Sequence, residues 1–286
     1  MSRLFEALQM SESERTGAPF SNLPGNAPEL LQAAEQGSEQ IDGFPSVQVS
    51  TLPHSRLISL TDKESLGSEK FRFLGVRLRQ LQQGRTLKKV LITSTIAEEG
   101  KSLISANLAI TLARRQQQKV LLIEGDLRRP VLAPEFGLGT LPGMCELLKD
   151  ESGPLKNVYY LNEAKMWFIP AGEPPENPLE LMQSGRLQSV LQQLGNLFDW
   201  IIIDSPPILP LADTTVWSKL ADGVLLVARE GKTEKGALRR GVEALRRATL
   251  LGVVLNSCTN TDHSNYYQRY SPAAYSKVAA SEPTKN

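Results

Sequence analysis

Short apolar runs recur along this chain, each closed by polar residues and followed by apolar positions spaced three and four apart. A continuous apolar run suits a strand buried on both faces, and the three-four spacing suits a helix packed along one side. On that pattern Lys88 to Ser94 is a strand, and Leu103 to Arg115 a helix whose inner face carries Leu103, Ile104, Leu108, Ala109 and Leu112. Val120 to Ile123, Trp167 to Pro170, Trp200 to Ile203, Gly223 to Arg229 and Val253 to Asn256 are further strands. Helices are expected over Asp62 to Gln83, Pro178 to Leu194 and Thr233 to Leu250. Strands alternating with helices predict an α/β fold, a mostly parallel sheet with helices on both faces. There are no internal repeats. Residues 11 to about 55 are rich in Ser, Gly, Pro, Glu and Gln and are expected to be disordered. The expected organisation is a mostly disordered segment 1–55, one domain over 56–262 and a flexible tail over 263–286.

Composition narrows the function classes. With 286 residues there is room for one large domain plus flexible ends. A net charge of +1 gives no general drive towards nucleic acid. Arg239-Arg240 and Arg246-Arg247 read as solvated helix faces. Cys145 and Cys258 stand far apart without metal spacing, which suits a reducing cytoplasm. His54 and His263 are too few for a histidine metal cluster. No apolar run approaches the ~20 residues that span a bilayer. Met1 to Met10 is a short amphipathic piece containing Glu6 and does not read as a signal peptide.

Three segments carry the candidate chemistry. Glu99-Gly100-Lys101-Ser102 follows a predicted strand and opens a predicted helix, the context a phosphate-binding loop requires. Free N–H groups at the helix start, with Leu103 in its first turn, would face phosphate. Lys101 would reach the β- and γ-phosphates of ATP, and the Ser102 hydroxyl would bind Mg²⁺. The usual pattern has Gly where this chain has Thr95, so the loop alone is a weak signal. The second segment ends the strand at Val120–Ile123 in Glu124-Gly125-Asp126-Leu127-Arg128-Arg129-Pro130. Glu124 and Asp126 can supply a Mg²⁺ ligand and a proton acceptor, at the strand end where α/β proteins place ligands. The bland reading is a solvated acidic-basic turn. The third, Trp200 to Ile203, ends in Asp204, the position of a Mg²⁺-holding carboxylate, with Pro206-Pro207 fixing the turn. Asp213 is either a supporting residue of the site or a helix N-cap. The three segments in order point to ATP chemistry.

Tyr266, Tyr267, Tyr270 and Tyr275, four of the six tyrosines, crowd near the C-terminus among Ser, Asn, Gln, Arg and Pro. Buried tyrosines normally bring apolar neighbours, and these do not. The segment reads as a mobile tail rich in phosphoacceptors, against an aromatic tail docked on its own domain.

These features resemble the bacterial tyrosine kinases of capsule and exopolysaccharide synthesis, the CpsD/CapB-type autokinases. The matching stretches are Ser94 to Ser102, Glu124 to Pro130, Asp204 to Pro207, Ala171 to Leu181, Asp222 to Val227 and Gly252 to Asn256. The resemblance covers roughly residues 60 to 280. It implies a P-loop fold of the MinD/ParA type, with Lys101, Asp126, Asp204 and Glu124 as catalytic residues. It implies Ser102, Asp126 and Asp204 as Mg²⁺ ligands. Glu99, Gly100, Lys101, Ser102, Leu103, Arg128 and Asn256 would bind ATP. It further implies autophosphorylation of the tyrosine cluster, control of polysaccharide polymerisation and export, a membrane co-polymerase as activator and a tyrosine phosphatase as partner. The protein would be cytoplasmic, recruited to the inner face of the membrane. Self-association would run through the helix bearing Glu69 and Arg72.

Three departures from the family pattern stand out. Glu124 replaces the usual first Asp, with a reach one methylene longer. Ala97-Glu98 replaces a common Pro-Gly. Gly75 replaces the last Arg of the E-x-x-R-x-x-R helix motif, which weakens the expected oligomer. On this reading Lys101→Met abolishes transfer with the fold intact, because the lysine faces ligand and not core, and Glu124→Asp is tolerated. The other functional reading is a MinD/ParA-type switch ATPase. Such proteins usually carry a second lysine early in the loop, and Ser94-Thr95-Ile96-Ala97 has none. An inactive scaffold kinase is the third.

Overall fold

The computed structural model describes residues 41, 43–51, 55–114, 118–150 and 155–258. The chain divides into a unit Met1–Gly43 and a unit Phe44–Asn286, and every element named here lies in the second. The first half contains β1 (Ser46–Val47), α1 (Ile58–Thr61), α2 (Leu66–Gln83), β2 (Lys89–Ser94), α3 (Lys101–Ala113), β3 (Val120–Glu124), α4 (Leu132–Glu135) and α5 (Met144–Lys149). The second contains β4 (Tyr159–Leu161), β5 (Met166–Ile169), α6 (Pro178–Gln183), α7 (Arg186–Leu197), β6 (Trp200–Asp204), α8 (Asp213–Leu220), β7 (Gly223–Arg229), α9 (Lys235–Ala244) and β8 (Leu250–Asn256).

Among the described residues the sheet has eight strands in the order β1-β4-β5-β3-β6-β2-β7-β8. Every adjacent pair is parallel except β4 and β5. The connection from Asn162 to Lys165 is too short for a crossover, so β4 and β5 form an antiparallel hairpin. β3 and β6 are buried along their whole length, as continuous apolar runs in a two-sided sheet should be. Their register sets Glu124 beside Asp204, and Asp204 beside Ile92 of β2. The C-terminal ends of the three central strands therefore lie side by side, the edge at which open parallel sheets bind ligands.

α3 is buried on nearly every side, from Ile104 through Ala113, because the sheet lies on one flank and α2 on the other. Each fully buried Leu or Ile there contributes about 1.5–3 kcal/mol relative to exposure. Gly75 of α2 faces this packing: a Cβ added to it would sit 3.5 Å from Leu112. Glu69 and Arg72 lie on the exposed side and pair with each other, Arg72 Nε donating to Glu69 Oε2 over 2.6 Å.

Element ends depart from the sequence pattern where local chemistry intervenes. The helix expected from Asp62 starts at Leu66, because the Ser65 hydroxyl accepts from Ser68 N and caps it. The span Pro178 to Leu194 is two helices, parted at Gly185, whose φ of +81° is left-handed. α9 ends at Ala244, and the apolar run from Leu250 joins β8, where Leu251 and Val254 pack on the core. β1 and β4 were not expected. Ser46–Val47 lies in the stretch expected to be disordered, yet it pairs with β4.

Candidate nucleotide and phosphoryl-transfer site

The loop from Thr95 to Gly100 leaves β2 and delivers the chain to α3. Thr95 is not among the residues with positive φ, so its backbone does not need the glycine of the usual pattern. Gly100, by contrast, has φ +93°, and an added Cβ would meet Asn256 Nδ2 at 2.2 Å. Only glycine fits there. Glu98 also adopts a left-handed conformation, φ +63°, at a cost of roughly 1–2 kcal/mol. Two contacts hold the residue there: Arg229 Nη1 donates to Glu98 O over 3.2 Å, and Lys232 Nζ pairs with the Glu98 carboxylate at 2.6 Å.

Glu99 and Asn256 brace this loop from within. The Glu99 side chain is fully buried; its Oε2 accepts from Ile96 N at 3.0 Å, and its Oε1 accepts from the Thr233 hydroxyl. Asn256 Nδ2 donates to Glu99 O over 2.9 Å. Both residues shape the loop from behind rather than opening onto the cleft. Thr233, which the sequence reading passed over, completes the brace by accepting from Arg229 N at 2.7 Å.

Lys101 lies between two acids. Its Nζ stands 3.0 Å from Asp126 Oδ2, 3.7 Å from Asp204 Oδ2 and 3.1 Å from Ser102 Oγ. Burial pulls the ammonium's pKa down, but the charges of Asp204 and Asp126 outweigh it and the net shift is upward. Burial pushes Asp204 above the ordinary carboxylate range, against the pull of Lys101. Ser105, also missed from sequence, sits one turn into α3 with its hydroxyl 3.2 Å from Asp204 Oδ1. Its signal was available: it follows Lys101 by four residues, on the same helix face.

Between β3 and β6 the backbone itself makes a tight joint. Gly125 N donates to Asp204 O over 2.7 Å, and Trp217 Nε1 donates to Gly125 O over 3.1 Å. A Cβ on Gly125 would meet Asp204 O at 2.7 Å and the Trp217 ring at 2.9 Å. Pro206 O, in the turn after β6, accepts from both Thr93 and Thr214 hydroxyls at 2.7 Å.

Arg128, expected at the nucleotide, borders the space over Lys101 and Ser102, and its guanidinium also grips Asp213 of α8 through two bonds of 2.6 and 3.1 Å. Asp213 is thus the first residue of α8 and an arginine's partner, and Ala212 holds the N-cap position. Glu124, expected as a catalytic base or metal ligand, is 1% exposed and has both oxygens engaged by backbone. Its Oε1 accepts from Val131 N at 2.6 Å and Leu132 N at 2.5 Å, and its Oε2 from Ala171 N at 3.2 Å. The longer side chain sends the carboxyl past the cleft and into the loops beyond. Tyr266, Tyr267, Tyr270 and Tyr275 lie outside the described residues.

A cleft of about 690 Å³ opens over Lys101 and Ser102, with Asp126, Arg128, Arg129 and Leu211 among its walls. Gly100, Lys101, Ser102 and Leu103 line this space, so the N-terminus of α3 borders it. Asp204 Oδ2 is buried and has no hydrogen-bond partner, which fits a cation in its vicinity. Among the described residues no cluster of three or more acidic, His or Cys side chains could hold a metal alone. The donor set is a hydroxyl and two carboxylates, which fits Mg²⁺ held jointly with nucleotide phosphates and water. No helix among the described residues is long and apolar enough to cross a membrane.

No protein-family model matches the chain. It is 36% identical over 212 residues to the tyrosine-protein kinase YwqD of Bacillus subtilis, covering 73% of this chain and 89% of that protein. To the putative tyrosine-protein kinase CapB of Staphylococcus aureus it is 31% identical over 205 residues, 71% of this chain and 90% of the other. The crystal structure of the chimerical protein CapA2B2 superposes with a TM-score of 0.68 at 29% identity, over 79% of this chain and all of that one. An ATP complex of a Cyanothece McdA variant superposes less well, TM-score 0.52 at 25% identity, over 69% and 81% of the two chains. With the lysine between two strand-end carboxylates, the braced loop and the 36% identity along nearly the whole of a relative, the chain belongs to the bacterial tyrosine-protein kinases.

Proposed function

We propose that this protein transfers the γ-phosphoryl group of ATP to tyrosine, with its own Tyr266, Tyr267, Tyr270 and Tyr275 as acceptors. The observation that carries the reading is Lys101 held between Asp126 and Asp204 at the mouth of a helix N-terminus. Mg²⁺, when bound, would neutralise charge on the β- and γ-phosphates. Ser102, Asp126 and Asp204 are the residues that would hold it. Asp126, which lines the cleft beside Lys101, would accept the proton of the attacking tyrosyl hydroxyl. The phenolic oxygen bonds to the γ-phosphorus as the bond from that phosphorus to the β-bridging oxygen breaks, leaving ADP. The kinase domain would include β1 (Ser46–Val47), which joins its sheet, and would lie ahead of the acceptor tail 263–286.

Its setting would be capsule or exopolysaccharide synthesis, at the inner face of the membrane. A membrane co-polymerase would activate it and a tyrosine phosphatase would reset it. Each phosphotyrosine adds about −1.5 to −2 charge, so four would add roughly −6 to −8 to a near-neutral chain. A tail so charged leaves a site lined by carboxylates, and self-association through the Glu69 and Arg72 helix should loosen with it.

Mass spectrometry of the purified protein before and after Mg-ATP tests the reading. Phosphate on the tail tyrosines supports it. ADP formed with no phosphotyrosine would turn the assignment to a nucleotide-dependent switch.

A further inference from the structure

The segment from Asp126 to Leu132 brings Asp126, Arg128 and Arg129 to the cleft, and a carboxylate pins each end of it. Near its start, Asp126 Oδ1 accepts from Arg129 N over 3.1 Å. At its far end the Val131 and Leu132 amides converge on Glu124 Oε1. Glu124 Oε2 then reaches sideways to Ala171 N, and Ala171 O in turn accepts from Cys145 N at 2.9 Å, at the start of α5. One side chain thus ties the end of β3 to the return of the cleft loop and to the loop after β5.

We infer that Glu124 is a positioning residue, which fixes the cleft loop bearing Asp126 and Arg129 and takes no part itself in proton transfer or metal binding. This rests on the phosphoryl-transfer reading of the cleft. Three backbone N–H groups fill most of the roughly four acceptor sites of a carboxylate. Nor does Glu124 line the nucleotide cleft. It borders a separate apolar pocket of about 320 Å³ between the two loops, beside Pro130, Ala133 and Pro170. The identity of the residue follows from the span. An aspartate here would be about 1.5 Å shorter, one carbon–carbon bond, and could not reach the Val131 and Leu132 amides from the same backbone position. Glu124→Asp, a conservative change for a base or a metal ligand, is the disruptive one for a staple. Glu124→Gln reverses the ranking: it removes the charge but keeps a carbonyl oxygen of the same reach for Val131 and Leu132.

Both variants and the wild type are assayed as full chains for ADP formation and phosphotyrosine, with kcat and KM for ATP separated. Amide exchange over residues 128–134 is followed in the same samples. The staple predicts that Glu124→Gln keeps kcat within about threefold and keeps the Val131 and Leu132 amides protected. Glu124→Asp should lose at least about tenfold in kcat with KM for ATP little changed, and those amides should exchange faster. The opposite order, an active Glu124→Asp with a dead Glu124→Gln, would overturn the inference, as would a wild type whose Val131 and Leu132 amides exchange unprotected. A wild type that forms no phosphotyrosine sinks the kinase reading alone, because the exchange of the two amides still tests the staple.

Discussion

Lys101→Met removes more than a phosphate contact. Lys101, Asp126 and Asp204 have side chains only 11, 7 and 1% exposed, so the lysine is the counter-charge of two nearly buried acids. Deleting one partner of a buried pair costs about 3–5 kcal/mol, because the other charge is left unpaired. Methionine fills the space, and the acids can relieve the strain by taking up a proton. The cost should therefore fall near the lower bound, about 3 kcal/mol. At roughly 2–4 °C per kcal/mol for a domain of this size, Tm should drop by about 6–12 °C without nucleotide. Two conditions should narrow the gap. Mg²⁺ restores a positive charge among the carboxylates. Acid acts by neutralising a carboxylate: burial raises the Asp204 pKa and Lys101 lowers it, so the variant, which lacks the lysine, should gain more stability than wild type as pH falls. Thermal unfolding followed by circular dichroism at pH 7 and pH 5, with and without Mg²⁺, measures all of this. A variant that melts within about 2 °C of wild type in metal-free buffer would refute the charge argument. The expectation that this substitution leaves the fold untouched overlooked the two acids against which the lysine rests.

Thr233→Val should lower stability by about 2–3 kcal/mol in urea, since it strips a donor from the buried Glu99 carboxylate and an acceptor from Arg229 N, while Thr233→Ser stays near wild type. Of the two cysteines, Cys258 is exposed, whereas Cys145 is buried with its thiol pushed up to about 12, mainly by burial. An aromatic disulfide reagent at pH 8 should titrate one thiol in the native protein and a second only on unfolding; rapid reaction of both would place Cys145 wrongly.

The central strands were readable because burial on both faces leaves an unbroken apolar run: Gly223 to Arg229 has the same bounds in pattern and structure. The loop and the strand-end acids were readable because each sits at the junction of such a run with polar residues. Partners distant in sequence were not. Glu99 and Thr233 are 134 residues apart, and Arg128 and Asp213 are 85 apart, so only the fold brings them together. Glu124 shows the sharper limit. Its position at a strand end was plain, but its direction depends on where the loops after β3 and β5 return, and composition does not encode that. β1 and β4 are too short to show a period.

The joint of Gly125, Asp204 O and Trp217 gives the enzyme an optical reporter. Indole emission responds to the electric field across the ring, and Trp217 is fully buried and bonded through its nitrogen to Gly125, the residue between Glu124 and Asp126, whose own N–H bonds Asp204 O. The other two tryptophans, Trp167 and Trp200, lie near the N-terminal ends of β5 and β6, at the far end of the sheet. When Mg-ATP rearranges the charges around Lys101, the spectral change should come from Trp217. The occupancy of the site can then be followed in real time in the unlabelled protein, and with Trp167 and Trp200 replaced by Phe the signal becomes a single emitter read from within the catalytic joint.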